Sequence, residues 1–400
     1  MSTLLVFCHL RWNFVYQRPQ HLLSRLGTQR RVYVIEEPVR SDGPPHLERL
    51  EPSPGVVVLR PHTPVEAPGF HDDQLPTLSA LVADFLASER IDDYVAWLYT
   101  PMALPLLKGL QPQAVVYDCM DELSAFDFAP RQMRQREAAL LQMADVVFAG
   151  GPSLYEAKRD LHPNAHCFPS AVDADHFAAA HVERGSPEIA RAMALQQSMA
   201  QPRLGFFGVI DERLDVGLVG TLARALPDCQ VVMVGPVVKI DPATLPREPN
   251  IHWLGQQSYD ALPGFVAGWD VCLLPFAMNA STKFISPTKT LEYMAADKPV
   301  VSTPVRDVVG LYGDVVRIAD GEPAFIDACR AALAETAAER AARVEAMRTR
   351  VARYSWQRTA ADIARLIDEA VAARRNGNGS QARSHQKAMQ SEVRRVAKVA

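Results

Sequence analysis

The chain has 400 residues, more than one hydrophobic core usually holds, so two domains are the first expectation. Hydrophobic residues make up 48% and charged residues 22%, the ordinary balance of a soluble globular protein. The net charge of -4 excludes a global pull toward nucleic acid or anionic membrane, so any such contact must be local.

The opening "MSTLLVFCHL" lacks a basic stretch and a small-residue cleavage site, so it does not read as a signal peptide. No apolar run approaches the ~20 residues of a membrane span. Cys8, Cys119, Cys167, Cys229, Cys272 and Cys329 are scattered without a CxxC pair, and several lie inside apolar runs. They read as buried free thiols, and a cytoplasmic location is expected.

Along the first half, short apolar runs alternate with amphipathic segments. Strands are expected at 3–10, 31–38, 55–61, 94–101 and 114–122, and helices at 19–27, 75–90 and 130–144. "DVVFAGGPSLYEAKRDL" (145–161) runs from a strand through a turn into a helix. Continuously apolar strands alternating with helices predict a parallel sheet covered on both faces. The pattern lapses between about 176 and 202 and then restarts. Strands are expected at 203–210, 229–236, 250–255, 270–276 and 298–305, with helices at 215–227, 258–269 and 287–296. A helical zone from Pro323 to about Arg350 and a last helix at 355–374 close the pattern. The polar tail from Asn376 is expected to be disordered, and its final "SEVRRVAKVA" fits either a solvated tail or a weak peripheral contact with a membrane surface.

The stretch "SPTKTLEYMAADKPVVSTPV" (286–305) carries the densest chemistry. Ser286 is suited to cap a helix and Pro287 to be its first residue. Lys289 then sits in the first turn, where the helix dipole disfavours a cation by about 0.3–1 kcal/mol. An anion docked at that end would reverse the sign and recruit both the lysine and the free N–H groups, with phosphate or diphosphate the obvious candidate. Glu292 lies nearly one turn further on the same face. A carboxylate there would repel a diphosphate unless it faces hydroxyls, and the paired hydroxyls of a ribose fit. The same residues also fit a solvated helix face carrying a surface lysine and glutamate.

"SPTKTLEYMAADKPVV" resembles the nucleotide-sugar motif of GT-B glycosyltransferases of the retaining group-1 family. "FPSAVDADHF" (168–177), "GFFGVIDERLD" (205–215), "NIHWLGQQSYDALPGFVAGWDVCLLPF" (250–276) and "SWQRTAADIARLID" (355–368) resemble further segments of that family in order. "WNFVYQRPQHLLSRL" (12–26) is similar to the entry of a bacterial subgroup tied to cell-surface polysaccharide assembly. The resemblance implies an α/β fold of two Rossmann-like domains facing across a cleft. It places an acceptor-side domain at 1–178, a nucleotide-sugar domain at 200–354, a helix at 355–375 packing back on the first domain, and a tail at 376–400. It further implies transfer of a sugar from a UDP- or GDP-sugar to a glycan or lipid-linked acceptor with no metal, while the net charge gives no reason to expect a nucleic-acid partner. Glu292 would hold the ribose, Ser286, Thr288 and Lys289 the diphosphate, and Gly208 would let the backbone approach the phosphates. A degenerate scaffold subunit and a nucleotide-sugar 2-epimerase are the alternatives.

Several positions depart from the family pattern. Phe284 stands eight residues before Glu292, where the family often has a second glutamate; Asn279, Ser281, Thr282 or Lys283 are the nearby polar substitutes. Asp215 occupies a position where a cation often lies, and Arg213 either supplies that charge to the leaving diphosphate or makes a surface salt bridge. "HLRWNFVYQR" replaces a glycine-rich loop, so Arg11 and Arg18 are candidate phosphate partners or structural arginines. Asp297 replaces a glycine in a turn that Asp tolerates. Asp118 and Asp121, at the carboxyl end of a first-domain strand, either position and deprotonate an acceptor hydroxyl or are a helix cap and a loop carboxylate.

Overall fold

A computed structural model describes residues 2–178 and 186–376; the expected tail beyond 376, with its basic end, lies outside the described residues. The described chain divides into two compact units, one of residues 2–169 with 357–376 and the other of residues 170–356.

In the first unit the strands are β1 (Thr3–Cys8), β2 (Val32–Glu36), β3 (Val39–Arg40), β4 (His46–Ser53), β5 (Val56–Thr63), β6 (Tyr94–Leu98), β7 (Val115–Cys119), β8 (Val146–Ala149) and β9 (Ala165–Cys167). Between them run helices α1 (Arg18–Gly27), α2 (Leu75–Ser88), α3 (Met133–Met143) and α4 (Pro152–Lys158). The sheet order is β3-β5-β2-β1-β6-β7-β8-β9, all parallel, with β4 added antiparallel to β5. Leu4, Leu5, Val6 and Phe7 of β1 are fully buried, as expected of a strand with helices on both faces. The hairpin strand β4, "HLERLEPS", is mostly polar and carries a proline, so no strand was expected there. It is stabilised as an edge by charge pairs, among them Arg60 with Glu48 at 3.1 Å.

The second unit holds α5 (Ala174–Ala178), α6 (Pro187–Gln196), α7 (Val216–Ala225), α8 (Leu262–Ala267), α9 (Thr288–Ala295), α10 (Arg306–Tyr312), α11 (Glu322–Leu333) and α12 (Ala337–Val351). Its strands are β10 (Arg203–Phe207), β11 (Gln230–Val234), β12 (Ile251–Trp253), β13 (Val271–Leu274), β14 (Val300–Ser302) and β15 (Arg317–Ile318). They form a parallel sheet in the order β12-β11-β10-β13-β14-β15. Alternate strand residues feed two cores: Val232, Val234, Cys272 and Leu274 on one face, Val231, Met233, Val271 and Leu273 on the other. The helical zone expected as one piece from Pro323 breaks at 334–336, where Thr336 and Glu339 form a reciprocal capping box at the start of α12.

The last helix, α13 (Trp356–Asn376), continues into the first unit. There Asp368 pairs with Arg30 at 3.1 Å and Arg374 with Asp145 at 2.9 Å. Ile363, Ile367 and Val371, spaced by four, are buried. Among the described residues no helix is long and apolar enough to cross a membrane.

Candidate functional site

In the second unit the strand order reverses between β10 and β13, the place where open parallel sheets leave a crevice beyond their carboxyl ends. Three features converge there: the turn after β10, the long loop after β13, and the first turn of α9. The loops are joined by main-chain hydrogen bonds, with Asp215 N–H donating to Pro275 O at 2.9 Å and Ala277 N–H to Arg213 O at 2.8 Å. Helix α9 is tied to the end of β10 by Phe207 N–H, which donates to the buried Tyr293 hydroxyl at 3.0 Å.

Gly208 follows β10 with φ at 141°, a conformation open to glycine and strained for any other residue. A Cβ placed there would lie 2.7 Å from Cε of Lys289 and 3.1 Å from its Nζ. The missing side chain is therefore the space that the lysine stem fills. The Lys289 ammonium lies over the rings of Phe206 at 5.4 Å and Phe276 at 5.3 Å, within cation–π range. Gly235, after β11, has φ at 147°, and a Cβ there would collide with the Gly208 carbonyl oxygen at 1.8 Å. Two glycines thus let the two strand ends approach, and the room so made goes to Lys289.

Glu292 is 5% exposed, and among the described residues its carboxylate accepts no hydrogen bond. Burial pushes its pKa up to about 8, and the nearby Lys289 charge pulls in the other direction. A buried carboxylate without hydrogen-bond partners is costly to keep charged.

Other expected site residues are placed differently. Ser286 does not cap α9: Pro287 is the N-cap, without a side-chain cap bond, and Thr288 is the first helical residue. The Ser286 carbonyl accepts from the Ser170 hydroxyl at 2.7 Å, and the Thr288 hydroxyl donates to Ser170 Oγ at 3.0 Å. Arg213 makes a two-pronged pair with the buried Asp211, at 3.0 and 2.7 Å, so its charge is met inside its own loop. Asp215 is the N-cap of α7, accepting from Leu218 N–H at 2.8 Å, which accounts for an acid at a position expected to carry a cation. Asn279, Ser281 and Thr282 bond to one another and to the loop backbone, and Lys283 lies 5.1 Å from the half-buried Phe284 ring. Asp297 ends α9 with φ at 55°, its carboxylate held by Arg348 at 2.6 and 3.1 Å and its carbonyl by Arg343 at 2.9 Å.

In the first unit, Asp118 is fully buried within β7, and Arg18 Nε donates to both its oxygens at 3.0 and 3.2 Å. Neither role expected for Asp118 included this buried ion pair, which engages both its oxygens. Burial still raises its pKa, with Arg18 opposing. Arg18 also donates to the Phe168 carbonyl at 2.8 Å, and Arg11 donates to Glu36 at 3.2 Å and to the Pro38 carbonyl at 3.0 Å, so both arginines brace their own unit. Asp121 is half-buried in the loop after β7, where its carbonyl accepts from Leu123 N–H at 3.0 Å. Ser170, Asp211 and Arg348 were not singled out in the sequence. Their partners, apart from that of Asp211, are distant along the chain and leave no local signal.

Residues 201–335 match the family described as Glycosyl transferases group 1. A putative teichuronic acid biosynthesis glycosyltransferase, TuaH of Bacillus subtilis (strain 168), is 26% identical over 247 residues, covering 56% of this chain and 59% of the relative. Among solved structures, a sucrose-phosphate synthase from Thermosynechococcus elongatus superposes with a TM-score of 0.71 at 16% identity, covering 93% of this chain and 100% of that one. A trehalose-6-phosphate protein from E. coli bound with UDP-2-fluoro glucose gives 0.66 at 13% identity, covering 92% and 99%. WaaG, a glycosyltransferase involved in lipopolysaccharide biosynthesis, gives 0.62 at 16%, covering 90% and 99%. The family match lies within the second unit, and the fold is α/β of the GT-B class.

Proposed function

We propose that this protein is a glycosyltransferase that moves a sugar from a UDP- or GDP-linked donor to a glycan or lipid-linked acceptor in cell-surface polysaccharide synthesis. The single observation that carries the reading is Glu292, a buried carboxylate without a hydrogen-bond partner among the described residues, three positions from Lys289 at the N-terminal end of α9. A ribose offers the two adjacent hydroxyl donors that such a carboxylate lacks, and the diphosphate beyond it is the anion that Lys289 and the free N–H groups of the first turn favour. The relationship to the teichuronic acid protein and the likeness to WaaG support a role in surface polysaccharide assembly.

In this reading the chemical step is departure of the nucleoside diphosphate from the sugar. Lys289 and the α9 dipole stabilise the charge that develops on the leaving oxygen. The residues assigned to this task need no metal ion, and retention of configuration at the transferred sugar is part of the same proposal. Asp121 is the remaining first-unit candidate for contact with the acceptor.

Calorimetric titration with UDP and with GDP tests the donor site. One of the two is expected to bind. Lys289→Met keeps an apolar stem on Phe206 and Phe276 while removing the charge, and is expected to weaken that ligand roughly 10- to 100-fold, as loss of a charged hydrogen bond does. Absence of binding to either diphosphate, or an unaltered Kd in Lys289→Met, would defeat the reading. Release of free sugar from a bound donor would set aside the scaffold alternative.

A further inference from the structure

Helix α9 begins without a cap from its own sequence. Pro287, at the N-cap, has no side-chain donor or acceptor to offer. What holds this entry is Ser170, the first residue of the second unit and 9% exposed. Its hydroxyl donates to the Ser286 carbonyl at 2.7 Å and accepts from the Thr288 hydroxyl at 3.0 Å. The three groups form one directed chain, Thr288 O–H to Ser170 O–H to Ser286 C=O, in which each hydroxyl hydrogen is used once. Each donor in such a chain polarises the next, so the two bonds act as a unit.

We infer that Ser170 is a positioning residue for the donor-binding turn, and that Thr288 serves the diphosphate through Ser170 rather than by touching it. The inference rests on the donor site proposed above. Ser170 pins the residues on both sides of Pro287, and with them the direction in which the first N–H groups of α9 and Lys289 point. The Thr288 hydroxyl hydrogen is already given to Ser170, so it is not offered to a phosphate oxygen. Of the three residues expected at the diphosphate, the hydrogen-bond directions leave Lys289 as the contact and make Ser286 and Thr288 its support.

Four proteins separate the possibilities: wild type, Ser170→Ala, Thr288→Ala and the double variant. Each is titrated with whichever of UDP or GDP the wild type binds, and with the matching nucleoside, which lacks phosphate. Each single variant is expected to weaken the diphosphate about five-fold, the worth of one buried hydrogen bond, with nucleoside affinity unchanged. The double variant is expected to lose no more than either single variant, because both break the same chain. If Thr288→Ala keeps its full effect in the Ser170→Ala background, Thr288 touches the phosphate directly and the inference fails. Equal loss of nucleoside and diphosphate affinity would reduce Ser170 to a general structural role and also overturn it. A wild type that binds neither diphosphate overturns the donor-site reading itself. Wild-type binding together with an unaltered Ser170→Ala overturns only the present inference.

Discussion

Glu292→Gln is expected to melt at a higher temperature than the wild type at pH 9, to melt with it near pH 4, and to lose most of its affinity for the nucleotide donor. The wild-type carboxyl is buried, and its pKa stands at about 8, against an unfolded value near 4.5. The fold therefore prefers the protonated form. The stability this contributes is fully present below pH 4.5 and is lost as the pH rises through about 8. At about 1.4 kcal/mol per pH unit the gap corresponds to a few kcal/mol, on the order of 3–5, that the ionised wild type forfeits and a neutral amide does not. The protonated acid and the amide are both neutral and cost about the same to bury, so a gain of a few degrees in Tm is the expected result at high pH. A Tm difference that does not change between pH 4 and pH 9 would refute the assignment.

The same ionisation governs binding. A carboxylate accepts from two hydroxyls at once, whereas the amide offers one acceptor oxygen, and a loss of roughly 10- to 100-fold in donor affinity follows. In the wild type the ionised form is a minority at pH 7, so donor affinity is expected to rise roughly tenfold between pH 7 and pH 9. Glu292→Gln should show no such rise. In the proposed reading the residue lowers stability in the same pH range in which it would accept from the ribose, a stability–function compromise.

Gly208→Ala is expected to damage both stability and diphosphate binding. At φ 141° an L-residue is strained, at a cost on the order of 1–3 kcal/mol. The added carbon would also stand 2.7 Å from Lys289 Cε, inside any real contact distance. The backbone has little room to retreat, because the Gly208 carbonyl already occupies the space where Gly235 would carry a side chain. The lysine must then leave Phe206 and Phe276, and the ammonium is withdrawn from the diphosphate. Chemical denaturation is expected to show a loss of about 2–4 kcal/mol, and calorimetry a loss of diphosphate binding at least as large as that of Lys289→Met. Shortening the lysine relieves the collision, so Lys289→Ala placed in the Gly208→Ala background should recover part of the lost stability. A Gly208→Ala protein with wild-type stability and affinity would show that the close approach of Lys289 is not needed.

Much of this protein is legible along the chain because its sheets are parallel. Buried parallel strands are short continuous apolar runs, such as "TLLVFC" and "VCLL", and they declare themselves without knowledge of their neighbours. The edge strand His46–Ser53 escapes the same reading, since it is held by pairing with β5 and by surface charge rather than by its own apolar content. The break before α12 was present in the sequence as Thr336 and Glu339 at capping-box spacing, a local signal hidden within an alanine-rich helical zone.

Residue identity and helical spacing alone put a lysine and a glutamate on one turn at the start of α9. That is enough to raise the question of an anion and a diol, because it depends only on neighbours three positions apart. Which charges remain available was decided by contacts across the fold. Asp118 is taken by Arg18, 100 positions away, and Thr288 by Ser170, 118 positions away, while Glu292 is left without a hydrogen-bond partner among the described residues. Gly208 makes the distinction clearest: its being glycine was plain from the sequence, but the Lys289 stem that fills its missing side chain comes from a helix 81 positions later (289 − 208). Local sequence sets which groups a turn can present; whether a group is spent on the protein or kept for a ligand depends on the side chains that folding brings against it.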